Sequence, residues 1–151
     1  MKTLLPCTLL AILAPIAFAQ STTPTATATG AKDNKDLLGQ WEGYVMAGGS
    51  SNAGQRRMNI VLTITPGTII CKDAGNTGEG SYRISAGSGN VRNIDATGTA
   101  GFYKDHVYEG IIAVEGNTLK WCSGDPGKGR PTELRTVISK GHFLMVLTRK
   151  Q

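Results

Sequence analysis

The sequence predicts an all-β protein, a single antiparallel β-barrel of about eight to nine strands. Three observations carry that expectation. From Leu37 onward, apolar and polar residues alternate over short runs, the period of two that a half-buried strand requires. The runs are separated by Gly, Asn, Asp and Pro, and most of the 20 glycines fall between runs, where turns need positive φ. No window of a dozen residues carries a helical period. Closing such a sheet on itself removes the strand edges that otherwise template aggregation.

QWEGYVMA (40–47) opens the series. RMNIVLTIT (57–65) places Met58, Ile60, Leu62 and Ile64 on one face, with Asn59, Thr63 and Thr65 opposite. Thr65-Pro66-Gly67-Thr68 fits a type II turn, in which proline fixes one φ and glycine supplies the positive one. Thr68–Lys72 then returns as the hairpin partner. GSYRIS (80–85), VRNIDAT (91–97), HVYEGIIAVE (106–115), NTLKWC (117–122), TELRTVIS (132–139) and HFLMVLT (142–148) follow. Gly110 lies inside a strand pattern, which suggests a bulge or a close backbone approach.

The barrel is expected over 37–151. Residues 1–19 read as a secretory signal peptide. Lys2 precedes an apolar run too short to span a membrane, and Ala17-Phe18-Ala19 has the small-x-small form of a cleavage site. Cys7 sits within that run rather than just after it, so it does not mark a lipid anchor. Residues 20–36 contain no large apolar side chain and read as a disordered linker. The expected location is therefore secreted or periplasmic, with no transmembrane segment after cleavage. In an oxidising compartment Cys71 and Cys122 either form a disulfide, worth about 4 kcal/mol by chain entropy, or remain two buried thiols.

The formal net charge is +5, but the basic residues are dispersed. Arg56-Arg57 and Arg149-Lys150 are the doublets, without the interleaved aromatic rings of a nucleic-acid groove, so no nucleic-acid partner is expected. His106 and His142 stand in no zinc-binding spacing, and no metal or cofactor is expected. Asp105-His106 lacks a nucleophile motif. Asp95 and Glu109 fall on strands as a candidate carboxylate pair, though sequence fixes no separation between them. In SGDPGKGRPTE (123–133), Asp125-Pro126-Gly127 signals a turn and Pro131 fixes the far end. Asp125, Arg130 and Glu133 are expected to brace the loop, with Arg130 paired to Glu133. Anion capture by Lys128, Arg130 and glycine amides is the competing reading. It lacks the spacing and following helix of a phosphate loop.

Several stretches carry resemblances. Leu38-Gly39-Gln40-Trp41, Gly80-Ser81-Tyr82-Arg83-Ile84, Ile94-Asp95 and Gly110-Ile111-Ile112 are followed by Gly116-Asn117-Thr118-Leu119-Lys120-Trp121-Cys122 and Pro126-Gly127-Lys128-Gly129-Arg130-Pro131-Thr132-Glu133. Together they resemble a small domain family of unassigned function in planctomycete exported proteins. Three details differ: one residue fewer separates Leu38 from Gly39, Ile112 stands where Tyr is common, and Leu134 where Phe is usual. Gly39-Gln40-Trp41 and Arg149 also look like the closing end of a lipocalin-like barrel, which implies that Arg149 packs over Trp41. The T-D-Y type motif of true lipocalins is missing.

A barrel of this size is either filled by its side chains or holds one small ligand. Trp41, Met58, Ile60, Leu62, Tyr82, Ile84, Ile112 and Trp121 are the candidate cavity residues. The expected function is non-catalytic. It is binding of a small apolar or amphipathic molecule, with an envelope protein as another partner class. The alternative is a structural or protein-interaction module of the cell envelope with a filled core.

Overall fold

The structure, a computed structural model, describes residues 34–47 and 56–151. Eight strands form it: β1 (Gly39–Ala47), β2 (Arg56–Thr65), β3 (Thr68–Asp73), β4 (Asn76–Ser85), β5 (Arg92–Gly101), β6 (Val107–Glu115), β7 (Thr118–Gly124) and β8 (His142–Arg149). Each pairs antiparallel with the next, and β8 pairs with β1 to close the barrel. The seam runs from Trp41 opposite Arg149 to Met46 opposite Leu144.

The ninth run, TELRTVIS, is not a strand. β7 is laddered on one side to β6 and on the other to β8 along its length, so no edge remains for another partner. Leu134 and Val137 are half-buried another way, and Ile138 is exposed. The connection from Asp125 to Gly141 crosses the outside of the barrel and ends in a 3-10 turn at Ile138–Lys140. Leu134 packs there with Ile111, Cys122 and Leu144 in a small second core on the outer face. Thr136 Oγ1 donates to the Met46 carbonyl at 3.0 Å, and the Asp125 N–H donates to Gly141 O at 2.8 Å.

β4 begins earlier than GSYRIS suggested, because residues 76–79 of the glycine-rich stretch extend the strand. The register shift falls between Glu79 and Gly80. Gly110 carries no bulge: both its ladders run in unbroken register. Its role is close approach, since a Cβ there would lie 2.5 Å from Trp121 Nε1 and 2.7 Å from the Cys122 carbonyl. Gly110 is the gap into which the Trp121 ring fits.

The main core lies inside the barrel. Trp41, Leu37, Leu62, Ile64, Ile94, Ile112, Leu119 and Leu147 are almost fully buried. Fully burying side chains of this size contributes about 1.5–3 kcal/mol each relative to exposure. One end is sealed by residues expected to be unstructured. Asn34–Asp36, the last three residues of the supposed 20–36 linker, form a 3-10 turn with Leu37, and the Asp36 carboxylate accepts two bonds from Arg92 at 2.9 and 2.7 Å. The signal-peptide reading at 1–19 and the rest of the linker, 20–33, lie outside the described residues.

At that sealed end Trp41 Nε1 donates to Leu37 O at 2.7 Å. The Arg149 guanidinium covers the Trp41 ring, 4.1 Å from its centre, and donates to the carbonyls of Leu38 and Asp36 at 2.6 Å each. Cation–π attraction and charge-assisted hydrogen bonds thus converge on one side chain.

Candidate functional site

The interior is filled at the Trp41 end and hollow at the other. Near the mouth formed by the ends of β1, β3 and β5 and the starts of β2, β4, β6 and β8 lies a cavity of about 290 Å³. Four of the eight candidate cavity residues line it: Met58, Ile60, Leu62 and Trp121. The other four do not. Trp41 and Ile112 are wholly buried in the packed half, and Tyr82 and Ile84 pack against that core. Tyr82 turns its hydroxyl to the Thr65 carbonyl at 3.1 Å. Alternation marks which face a residue is on; it carries no information on depth along the barrel axis.

Aromatic rings dominate the mouth. Phe102 meets Tyr103 edge-on at 5.1 Å, Tyr103 meets Tyr108 at 6.1 Å, and Tyr108 meets Phe143 at 6.2 Å. Such geometry aligns ring edges with neighbouring faces, and each pair adds about 0.5–1.5 kcal/mol beyond burial. Glycines make the room. A Cβ on Gly78 would strike the Tyr103 ring, and one on Gly98 would strike the Tyr103 backbone. The 102–106 connection therefore folds back onto β4 and β5, held by Gly98 N–H to His106 O at 2.9 Å and Asp105 N–H to Gly98 O at 3.0 Å.

Polar groups collect beside these rings. The Tyr103 hydroxyl donates to the Asp73 carboxylate, whose other oxygen accepts from Asn76 at 3.2 Å. Burial pushes the Cys71 thiol up to about 11, with the nearby Tyr103 hydroxyl opposing the effect and Asp73 adding to it. Burial and the bond to Asp73 raise Tyr103 far above the usual phenol range. Tyr108 is raised as well, first by burial, then by Asp125, Cys71 and Asp73. These groups stay protonated at neutral pH and present hydroxyls and a thiol, not anions, to the cavity.

The two cysteines do not form a disulfide; both are free. Cys71 on β3 lines the cavity, whereas Cys122 on β7 faces outward under the 125–141 connection and donates to Arg135 O at 3.2 Å. They lie on opposite faces of the wall, and no disulfide reaches across it. Cys122 is also raised to about 11 by burial.

The loop brace exists with different partners. Arg130 does not pair with Glu133, which instead meets Arg135 at 2.6 Å. Arg130 reaches over the barrel wall to the Asp95 carboxylate, to Ile94 O at 3.1 Å and to Gly110 O, with Glu109 4.0 Å away. Asp95 and Glu109 are cross-strand neighbours, so the candidate carboxylate pair is held by one guanidinium as a structural clamp. Asp125 holds its turn through the main chain, its carbonyl accepting from Lys128 N at 2.9 Å, and also lines the cavity mouth. Asp105 and His106 are exposed on the 102–106 connection, and His142 is buried at the start of β8. Among the described residues no His, Cys, Asp and Glu cluster is arranged to hold a metal ion.

No family model, curated protein or solved structure matches the chain. Some of the motif residues come together in the structure. Ile94-Asp95, Gly110 and Arg130 meet at one point on the outer wall, and Cys122 lies beneath the same connection. Apart from Gly80 and Trp121, the cavity is lined by residues outside the motifs. Sequence reading missed Cys71, Asp73, Tyr103, Tyr108 and Asp125 as cavity residues. Ile69-x-Cys71-x-Asp73 continues one strand face and could have shown the first two. Tyr103 lies in a turn, where period carries no information.

Proposed function

We propose that this protein is an exported, non-catalytic ligand-binding barrel of lipocalin-like build, and that its ligand is a small apolar or amphipathic molecule held in the cavity beside Trp121. The carrying observation is the hollow half of the barrel. Of the fourteen buried core residues, Leu37, Trp41, Ile64, Ile94, Ile112, Leu119 and Leu147 pack the interior at the Trp41 end, yet about 290 Å³ stays open at the other end, walled by others of the core, among them Ile60, Leu62, Ile69, Trp121 and Met145, with half-buried Phe143. A structural module would gain stability by filling that space. Small-molecule sites are concave, mostly apolar and furnished with a few polar groups, at volumes starting near 300 Å³. The neutral thiols and phenols supply no activated nucleophile, which favours binding over catalysis. Export rests on residues 1–19, and the planctomycete-type resemblance on the motif residues alone.

The test is native mass spectrometry of the protein purified from its own envelope, together with a titration of Trp121 fluorescence by small apolar probes. A co-purifying small molecule, or a saturable change that Trp121→Phe abolishes, is the expected outcome. A protein that emerges bare and binds no probe returns the reading to a structural or protein-interaction module.

A further inference from the structure

The acidic residues of the barrel are distributed unevenly. Among the described residues, Asp36, Glu42, Asp95, Glu109, Glu115 and Glu133 each have a Lys or Arg partner within 4.0 Å. Asp73, Glu79, Asp105 and Asp125 have none, and three of these four line the cavity. No Lys, Arg or His lines it, in a chain of net charge +5. Asp105 apart, the described carboxylates of this basic protein are paired away from the cavity and left without a basic partner around it.

Their surroundings are those that recognise cations. Asp73, Asp125 and Tyr108 line the same cavity, and both carboxylates act electrostatically on the phenol. Tyr103, Tyr108, Phe143 and Phe102 form the linked ring series at the same mouth. Ring faces carry partial negative charge and attract ammonium groups, the more so when water is excluded. Deeper in, the wall is aliphatic and closes on Trp121. That residue is 6% exposed, and its Nε1 is turned to the wall at Gly110, which leaves the ring to face the cavity as apolar surface. The arrangement is therefore graded, with acidic and aromatic groups at the mouth and apolar surface below.

We infer that the cavity takes an organic cation: an amine or quaternary ammonium whose charged head sits among Asp73, Asp125 and the tyrosine rings, with its apolar body directed toward Trp121. This rests on the ligand-binding reading and narrows it to a charge class. A neutral ligand would leave the carboxylates without a counter-charge, and an anionic one would be repelled.

The experiment compares ligands of one shape and three charges by calorimetric titration of the wild-type protein at low salt: octylamine, 1-octanol and octanoate, with 2-phenylethylamine and 3-phenylpropanoate as a ring-bearing pair. The amines are expected to bind about tenfold or more tighter than the alcohol, with the carboxylates weakest and with amine affinity falling as salt rises. Asp73→Asn and Asp125→Asn, made separately and checked for an unchanged melting transition, should each weaken amine binding severalfold and leave the alcohol unaffected. Alcohol binding equal to the amine, or tighter carboxylate binding, overturns the charge class while leaving the cavity a ligand site. Failure of every compound to bind overturns both. Because the charge series uses the unaltered chain, the inference stays open to refutation even if a variant does not fold.

Discussion

Arg149→Ala should unfasten the sealed end of the barrel. In the native protein the guanidinium lies 4.1 Å from the centre of the Trp41 ring and donates to two main-chain carbonyls at 2.6 Å. The cation–π contact is worth about 1 kcal/mol at a partly exposed site. A hydrogen bond from a charged donor contributes about 1.5–3 kcal/mol. The bond to Leu38 O is partly buried and belongs near 2, whereas the bond to Asp36 O is exposed and screened, so about 0.5 is appropriate. The sum is about 3–4 kcal/mol, a large fraction of the 5–15 typical of a domain. At a guanidinium m-value of about 4 kcal/mol per molar, the midpoint should drop by about 0.8–1 M. Trp41 is the natural reporter, and a Trp121→Phe background isolates its emission. Arg149→Lys, which keeps the charge but not the planar fork, should recover less than half the loss. A loss below about 1 kcal/mol for the alanine variant would refute the view that this residue seals the base.

Other outcomes follow from the same geometry. Arg130→Ala removes the clamp on Ile94 O, Gly110 O and Asp95 and should cost about 2–3 kcal/mol, with faster proteolysis of the 125–141 connection as a second readout. Gly110→Ala forces a methyl against the Trp121 ring and should cost about 1–3 kcal/mol, visible as a shift of Trp121 emission. Both thiols lie near 11, above their unfolded value, so the stability they confer is complete below about pH 9 and is lost as pH climbs through 11. Iodoacetamide should accordingly label the folded protein slowly at pH 8 and far faster near pH 11, while guanidinium-unfolded chain reacts readily at pH 8. Gly78→Ala should expel the Tyr103 ring from the mouth and change the near-UV circular dichroism more than the melting temperature.

The strands were legible because burial here alternates: Ile60, Leu62 and Ile64 face inward as their spacing requires. So was the Trp41–Arg149 end, where the sequence resemblance named both partners. TELRTVIS misled for a topological reason. Its alternation is genuine, but Leu134 meets an outer apolar patch instead of a sheet edge, and local pattern cannot distinguish the two. Arg130 and Glu133 are close in sequence, which suggested a local pair. The guanidinium found better-placed acceptors on β5 and β6, contacts of long sequence separation that spacing cannot reveal. The split between packed base and hollow mouth was hidden likewise. It depends on where along the axis each residue falls and on a turn that returns Tyr103 to the opening.

The seam between β1 and β8 also governs timing. Leu38 and Arg149, which meet at the base, are separated by 111 residues, so the ring cannot shut until β8 has been made. Until then β1 and β7 would each present a bare ladder, and the indole of Trp41 would lack its cap. A chain wired this way gains little from folding piecemeal as it emerges from the ribosome and commits late, in one cooperative step.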